Sequence, residues 1–455
     1  MKPVRLLVAL GALVLLGGAI WYSQKHPPKA EGADETAAKP AVKMVTAKDD
    51  QFNKIQITKA DNTSVTLEKD VRGTWSITAP KNLPADDSNV KSLLSTLSGL
   101  ESEQVIADNG TGAWANYGLD NPKLKVDASL AGGKTIEVDL GNDAPTGSPV
   151  YARLAGDNRV FGISSSVKGS LDKAAGDLRD KRLLRVDADK VSKVVFSNEK
   201  NSGANALEFG RSGSDWQIVK PHAMRADTYA VEDLIRAGAS PYDSIVSDDE
   251  KDKEAKKYTF SKPFATLEVS DPSGEHRLTV IEQKEKETAT YYAKSSDMPG
   301  VFKLSSSNAN SFGKPLDGFR NGKIFDLSYN DPDKIEARDG DFKIAVEKRT
   351  NKDKNEDQWF VGSKQIPSEK VQSLLSQIRR LNASAYPAEN AADQAKYGLD
   401  KPSVEVRVTS GGAVQHAVFA SQGDKAYAAR DKDPATYEIP ILDLTDLKKF
   451  IGDLK

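Results

Sequence analysis

A six-residue stretch that occurs three times limits what this chain can fold into more than any other feature. Tyr117-Gly118-Leu119-Asp120-Asn121-Pro122 returns as Tyr397-Gly398-Leu399-Asp400-Lys401-Pro402, and in weaker form as Tyr258-Thr259-Phe260-Ser261-Lys262-Pro263. A tryptophan precedes each tyrosine, Trp75 and Trp216 by 42 residues and Trp359 by 38. Tyr151 and Tyr292, Phe161 and Phe302, and Arg179 and Arg320 all stand 141 residues apart. A constant offset over that length means that a whole domain has been duplicated. At about 140 residues, the unit is too long for a solenoid repeat and large enough to own a core. The length of 455 residues agrees, since it predicts about three domains at roughly 150 residues each.

The motif reads as chemistry of folding. Gly118 and Gly398 suit a helix stop, where a glycine just past the last turn takes the left-handed conformation and the following leucine folds back on that turn. Asp120 and Asp400, each two residues before a proline, Pro122 and Pro402, then turn the chain into a strand. The middle copy keeps Tyr258 and Pro263 but has Thr259 and Ser261 in place of Gly and Asp.

The same elements can be laid out in each copy. Lys54-Ile55-Gln56-Ile57, Lys193-Val194-Val195-Phe196 and Lys334-Ile335-Glu336-Ala337 are short apolar runs suited to an opening strand. A second strand follows, then the tryptophan strand, so a three-stranded meander fits the spacing. Next comes an amphipathic helix. Val90, Leu93, Leu94, Leu97 and Leu100 fall at helical spacing, Val371, Leu374, Leu375, Ile378 and Leu381 repeat them, and the middle copy keeps Val231, Leu234 and Ile235. Ser368 is the expected N-cap of the third helix. More strands follow each tyrosine motif, including Tyr151-Ala152-Arg153, Tyr292-Ala293-Lys294 and Tyr427-Ala428-Ala429. The expected class is α+β, with three tandem homologous repeats built of antiparallel meanders packed with amphipathic helices.

At the N-terminus, Lys2 and Arg5 flank an apolar run from Leu6 to Tyr22. As a helix this run spans about 25 Å, the short end of what crosses a bilayer. An uncleaved anchor fits better than a cleaved signal peptide, because the run exceeds a signal's usual apolar core and continues past the small residues Gly17-Gly18-Ala19. Either reading exports the rest. The Pro-, Ala- and Lys-rich stretch that follows reads as a tether. The expected organisation is an anchor over 1–23, a tether over 24–49, and repeats over 50–188, 189–329 and 330–455. That makes a single-pass membrane protein with its repeats outside the cytoplasm.

Composition removes several function classes. With 64 Lys and Arg against 66 Asp and Glu, no global field draws the chain to nucleic acid. The absence of cysteine excludes disulfides, thiolate nucleophiles and Cys-ligated zinc. Four histidines, His26, His222, His276 and His416, have no metal-ligand spacing, and no cofactor is expected. No nucleophile elbow, phosphate loop or dinucleotide fingerprint occurs in a suitable context.

Trp75 and Trp216 each precede a proline by five residues. Together with the Leu-rich helix, the Tyr-Gly-Leu-Asp-x-Pro turn, Gly141-Asn142, Tyr-Ala-Arg and Leu178-Arg179-Asp180-Lys181, this pattern resembles the bacterial domain-of-unknown-function family 4340. The resemblance implies a single-span envelope protein of the bacterial inner membrane, its repeats on the periplasmic side, often encoded beside ABC-type exporters like those linked to gliding motility. It carries over no catalytic residues.

The repeated Trp75, Trp216, Trp359, Tyr117 and Tyr397 are therefore expected to be structural. Arg179 with Asp180 is expected to tie one repeat to the next, and Arg179, Asp180 and Arg320 are the candidate contact residues. The charged runs from Asp248 to Lys257 and from Lys348 to Asp357 are expected to be solvated surface. The functional expectation is a non-enzymatic accessory or scaffold that contacts envelope proteins such as ABC transporter subunits. The alternatives are a glycan or cell-wall binding protein, or a hydrolase using carboxylates such as Asp120 and Asp400, which would require a specific cleft geometry.

Overall fold

The computed structural model describes residues 41–455 except 146–148, 204–205, 250, 328–330 and 352–355. The anchor expected over 1–23 and the tether up to residue 40 lie outside the described residues. Among the described residues no helix is long and apolar enough to cross a membrane. The chain divides after Asp180 into two compact units, the second running Lys181–Lys455.

The first unit contains one nine-stranded antiparallel sheet. Its elements are β1 (Phe52–Lys59), β2 (Ser64–Lys69), β3 (Trp75–Ala79), β4 (Leu83–Pro84), helix α1 (Asp87–Ser98), β5 (Gln104–Ala107), β6 (Leu124–Leu130), β7 (Thr135–Asp143), β8 (Pro149–Leu154) and β9 (Val160–Ser164). The strand order is β4-β3-β2-β1-β6-β7-β8-β9-β5. Two further nine-stranded sheets in the second unit repeat this order.

The expected α+β class is overturned, because the fold is mainly β, with 43% strand against 22% helix. Sequence separates the strands before and after the tyrosine motif into two meanders. They form one sheet because β1 pairs antiparallel with β6, with Ile55 opposite Ala128 and Ile57 opposite Val126. The equivalent strands of the other copies, Lys193–Asn198 with Ala265–Asp271 and Lys334–Asp339 with Val404–Ser410, pair in the same way. Among the described residues, helix takes one long segment per crossover, a further twelve-residue segment ending the third copy, and a few short turns. These are α2 (Ser165–Leu171) and α3 (Ala175–Leu178) in the first copy, α4 (Thr228–Gly238) and α5 (Ser306–Ser311) in the second, and α6 (Ser368–Arg380) and α7 (Ile441–Gly452) in the third.

Alternation decides which face of the sheet is covered. In β6, Leu124, Val126, Ala128 and Leu130 are buried while Lys125, Asp127 and Ser129 between them are not. The inward set meets α1, whose Val90, Leu93, Leu94 and Leu97 are buried. Burying each such side chain contributes about 1.5–3 kcal/mol. Asp86 caps α1 by accepting from Asn89 N at 2.9 Å, and Asp227 caps α4 from Ala230 N at 3.2 Å. The third helix departs from expectation. Ser368 is its first helical residue, Pro367 occupies the cap position, and no side chain caps it.

The segment leading into each repeat docks on the end of that repeat's long helix. Met44 N donates to Leu100 O, Leu184 N to Gly238 O, and Ile324 N to Leu381 O, at 2.9, 3.1 and 3.1 Å. Met44, Val45 and Ala47 are core residues of the first sheet. The last part of the expected tether is therefore packed, because these apolar side chains are buried there. In the same way Leu183, Leu184 and Val186 belong to the second core, and Ile324 and Phe325 to the third.

Candidate functional site at the join of the second and third repeats

The recurring motif residues build the fold. Trp75, Trp216 and Trp359 are all buried in their cores. The indole nitrogen of Trp216 has no hydrogen-bond partner among the described residues. Gly118 and Gly398 do take the left-handed conformation, at φ +67° and +73°. Leu119 N and Leu399 N donate back to Trp114 O and Gln394 O at 3.0 and 3.2 Å, and both leucines are buried. What these glycines stop is a separate 3-10 turn, Trp114–Tyr117 or Ala391–Tyr397, and not the Leu-rich helix. The middle copy has no such stop, since Tyr258 is extended at φ −104°.

The tyrosines share a contact in all three copies. Tyr117 meets Tyr151 edge-on with centroids 5.0 Å apart, Tyr258 meets Tyr292 at 4.4 Å, and Tyr397 meets Tyr427 at 4.8 Å. The Tyr397 hydroxyl also donates to Pro387 O at 3.1 Å. Gly141 and Asn142 back this turn. A Cβ at residue 141 would overlap the Tyr117 carbonyl oxygen, and one at Gly118 would lie 2.8 Å from the Asn142 amide. Asp120 and Asp400 are exposed turn residues on different sheets, and Asp120 accepts from Asn121 N at 3.0 Å. Pro122, Pro263 and Pro402 each precede the strand that lies against the opening strand of its sheet.

The exit segments run back along their own sheets. Arg179 bridges Ala85, and Asp180 N donates to Pro84 O at 2.9 Å; both side chains are buried. In the second repeat Arg320 bridges Ala226, and Asn321 N donates to Arg225 O at 3.0 Å. The Arg320 side chain, however, enters the third repeat. Its guanidinium grips Glu389 with both arms, Nη2 to Oε2 at 3.1 Å, and lies 3.5 Å from the Tyr386 ring centroid. His222 Nε2 stands 3.5 Å from the same carboxylate. Burial pushes the Tyr386 hydroxyl up to about 12, against the opposing pull of the Arg320 charge. These contacts join the second repeat to the third.

A second knot centres on Asp326. Its carboxylate takes Arg225 Nη2 at 2.7 and 3.0 Å, while its backbone exchanges two hydrogen bonds of 2.7 Å with the Gln415 side chain. Arg225 and Arg430 both donate to Lys323 O at 2.9 Å. Beside this knot opens a cleft of about 400 Å³, with Trp216, Gln217 and Tyr229 on one side and Asn321, Gly322 and Asn382 on the other.

A family described as "Domain of unknown function (DUF4340)" matches residues 75–215, 216–386 and 359–454, each segment opening on one of the three repeated tryptophans. The chain belongs to this family. No curated protein and no solved structure matches it.

Other polar clusters of this DUF4340 chain are closed ion networks. A hollow of about 630 Å³ lies over the third sheet between Glu336, Arg338, Lys343, Glu405 and Arg407. Arg338 and His416 both bind Glu405, at 3.2 and 2.9 Å. Burial raises the affinity of Glu405 for its proton, but these partners outweigh it and hold the group below its ordinary range. His416 Nδ1 contacts Asp431 at 2.7 Å, and His276 lies between Asp297 at 2.8 Å and Asp271 at 3.4 Å. Among the described residues no three potential ligands group to hold a metal, and His26 lies outside them. The Asp248 to Lys257 run is mostly exposed, as is the described part of the run beginning at Lys348.

Sequence reasoning singled out Arg320 but missed Glu389, Tyr386, Arg225 and Asp326, whose partners lie 66 to 101 residues away. It also missed the tyrosine pairs, although both members recur at fixed offsets. That shared recurrence was a usable signal.

Proposed function

We propose that this DUF4340 protein is a non-catalytic scaffold of the bacterial cell envelope. The N-terminal apolar run holds it in the inner membrane, with the repeats outside the cytoplasm, where they bind envelope proteins such as ABC transporter subunits. The observation that supports this reading is the Arg320 clamp. A buried cation rooted in the second sheet is held by a carboxylate and a ring of the third, so two domains are locked in one arrangement. A chain that fixes two adjacent sheets with a buried, doubly bonded arginine presents their surfaces in one arrangement, which suits holding partners in register. The recurring tryptophans, tyrosines and glycines are occupied in building the sheets that carry those surfaces.

The test is affinity purification of the full-length chain from detergent extracts after mild cross-linking. Recovery of exporter subunits with the wild-type chain, reduced with Arg320→Ala, is the expected result. Recovery of no envelope protein, or equal recovery with both chains, refutes the proposal. A C-terminal reporter active only in the cytoplasm would refute the proposed location.

A further inference from the structure

We propose that the cleft beside Asp326, between the second and third repeats, binds a short uncharged saccharide, with Tyr229 as its stacking platform. This site is distinct from the protein contacts proposed above and does not depend on them.

Tyr229 is the starting point. It is the second residue of α4, is 76% exposed, and lines the cleft. The fold does not require a ring there, because the residue at the same place in the first repeat, 141 positions earlier, is Ser88. A large exposed ring over a cleft offers flat apolar area that water wets poorly, and the C–H face of a pyranose covers such area while its hydroxyls stay hydrogen-bonded.

The two walls together provide for those hydroxyls. The Asn382 amide reaches only its neighbour Ala383 O, at 3.3 Å. The Gln217 side chain has no partner among the described residues, and Asp215 has only the Ser214 hydroxyl at 3.5 Å. Amides and a carboxylate in this state are donors and acceptors that a polyol can satisfy. Gly322 keeps the wall open. A Cβ there would lie 2.9 Å from the Asn382 amide oxygen and 3.2 Å from the Tyr386 hydroxyl. The corresponding exit residues of the first repeat are Asp180 and Lys181, where this one has Asn321 and Gly322. Neutral, small residues thus stand beside the cleft where the first repeat has charged ones.

Charge selects the ligand class. Arg225 and Asp326 satisfy one another, and Asp227 caps α4, leaving Lys323 and Asp215 to balance across the lining. A phosphate or uronate would find no uncommitted pair of cations, whereas a neutral polyol meets no penalty. The volume of about 400 Å³ lies within the range of small-ligand sites, which is roughly 300–1,000 Å³.

The experiment uses the full-length chain in a detergent without a sugar head group. Titration calorimetry and saturation-transfer NMR are run with tetra-N-acetylchitotetraose, with cellotetraose, and with tetragalacturonate as the charged control. Saturable binding of at least one neutral tetrasaccharide is expected, weaker by about tenfold or more in Tyr229→Ala. Tyr229→Phe, which keeps the ring, should stay within about twofold of the wild type. Tyr229 is on the surface, so neither change should impair folding, and the exposed Val71→Ala provides a neutral control. Absence of binding by both neutral ligands, tighter binding of the galacturonate, or an affinity indifferent to Tyr229→Ala would each overturn the proposal. A phenylalanine variant as weak as the alanine one would overturn the stacking role.

Discussion

Arg320 places its guanidinium 3.5 Å from the centroid of the Tyr386 ring while both of its arms hold Glu389. The arginine is 7% exposed, and its backbone belongs to the second sheet. Two domains therefore share one buried cation. Replacing it with alanine leaves Glu389 facing the join without a cation of comparable geometry, since His222 is 44% exposed and 3.5 Å away. We expect Arg320→Ala to cost about 2–3 kcal/mol, and the second and third repeats to unfold in separate steps. Lysine should recover little of this, because it cannot grip both oxygens and stack at once. Urea unfolding followed by fluorescence decides the point, and an unchanged midpoint would remove the clamp from the account.

The same ring predicts an alkaline transition. The Tyr386 hydroxyl is raised from 10 to about 12 by burial. A group whose folded value is the higher one contributes stability that is fully present below pH 10 and is lost as pH rises toward 12. Stability of the second unit should therefore decline across that window, and less so in Tyr386→Phe. Tyr437, also raised by burial and by its bond to Asp433, continues the decline above it. Chemical denaturation at pH 9 and pH 11.5, compared between wild type and variant, tests this. Equal losses in both would show that Tyr386 is not the group that titrates.

Glycine at the tyrosine turns gives a ranked prediction. Gly141→Ala should be the most damaging, because its Cβ overlaps the backbone oxygen of Tyr117. Gly118→Ala follows, being strained at positive φ and 2.8 Å from Asn142, and Gly398→Ala should be mildest, with its nearest neighbour at 3.4 Å. Positive φ alone costs about 1 kcal/mol or more for a residue with a Cβ. Thermal melts of the three variants give the order, and a Gly398→Ala loss equal to that of Gly141→Ala would falsify the crowding argument.

What could be read in advance was whatever repeats locally. The stripe from Val90 to Leu97, the alternation from Leu124 to Leu130 and the Gly118 stop are each encoded within a few residues, and all three are present. The nine-stranded sheet was not legible, because it depends on Ile55 meeting Ala128 across 73 residues, which no local period records. Edge strand β5 has only four residues, none fully buried, so its pattern is too short to register. At the join, Asp326 and Glu389 look like any surface carboxylates in sequence, and only the fold brings Arg225 and Arg320 to them.

The tyrosine pairs separate two accounts of the motif. If the left-handed glycine positions the first ring, only Tyr117 with Tyr151 and Tyr397 with Tyr427 should be energetically coupled. If the pairing itself is the selected feature, Tyr258 and Tyr292 should be coupled as well, although Thr259 has removed the glycine. The geometry favours the second account, since the middle rings are the nearest of the three, at 4.4 Å. We expect double-mutant cycles to leucine to give coupling of about 0.5–1.5 kcal/mol in every copy. A middle pair with no measurable coupling beside two coupled ones would mean that the turn, and not the pair of rings, is what each copy retains.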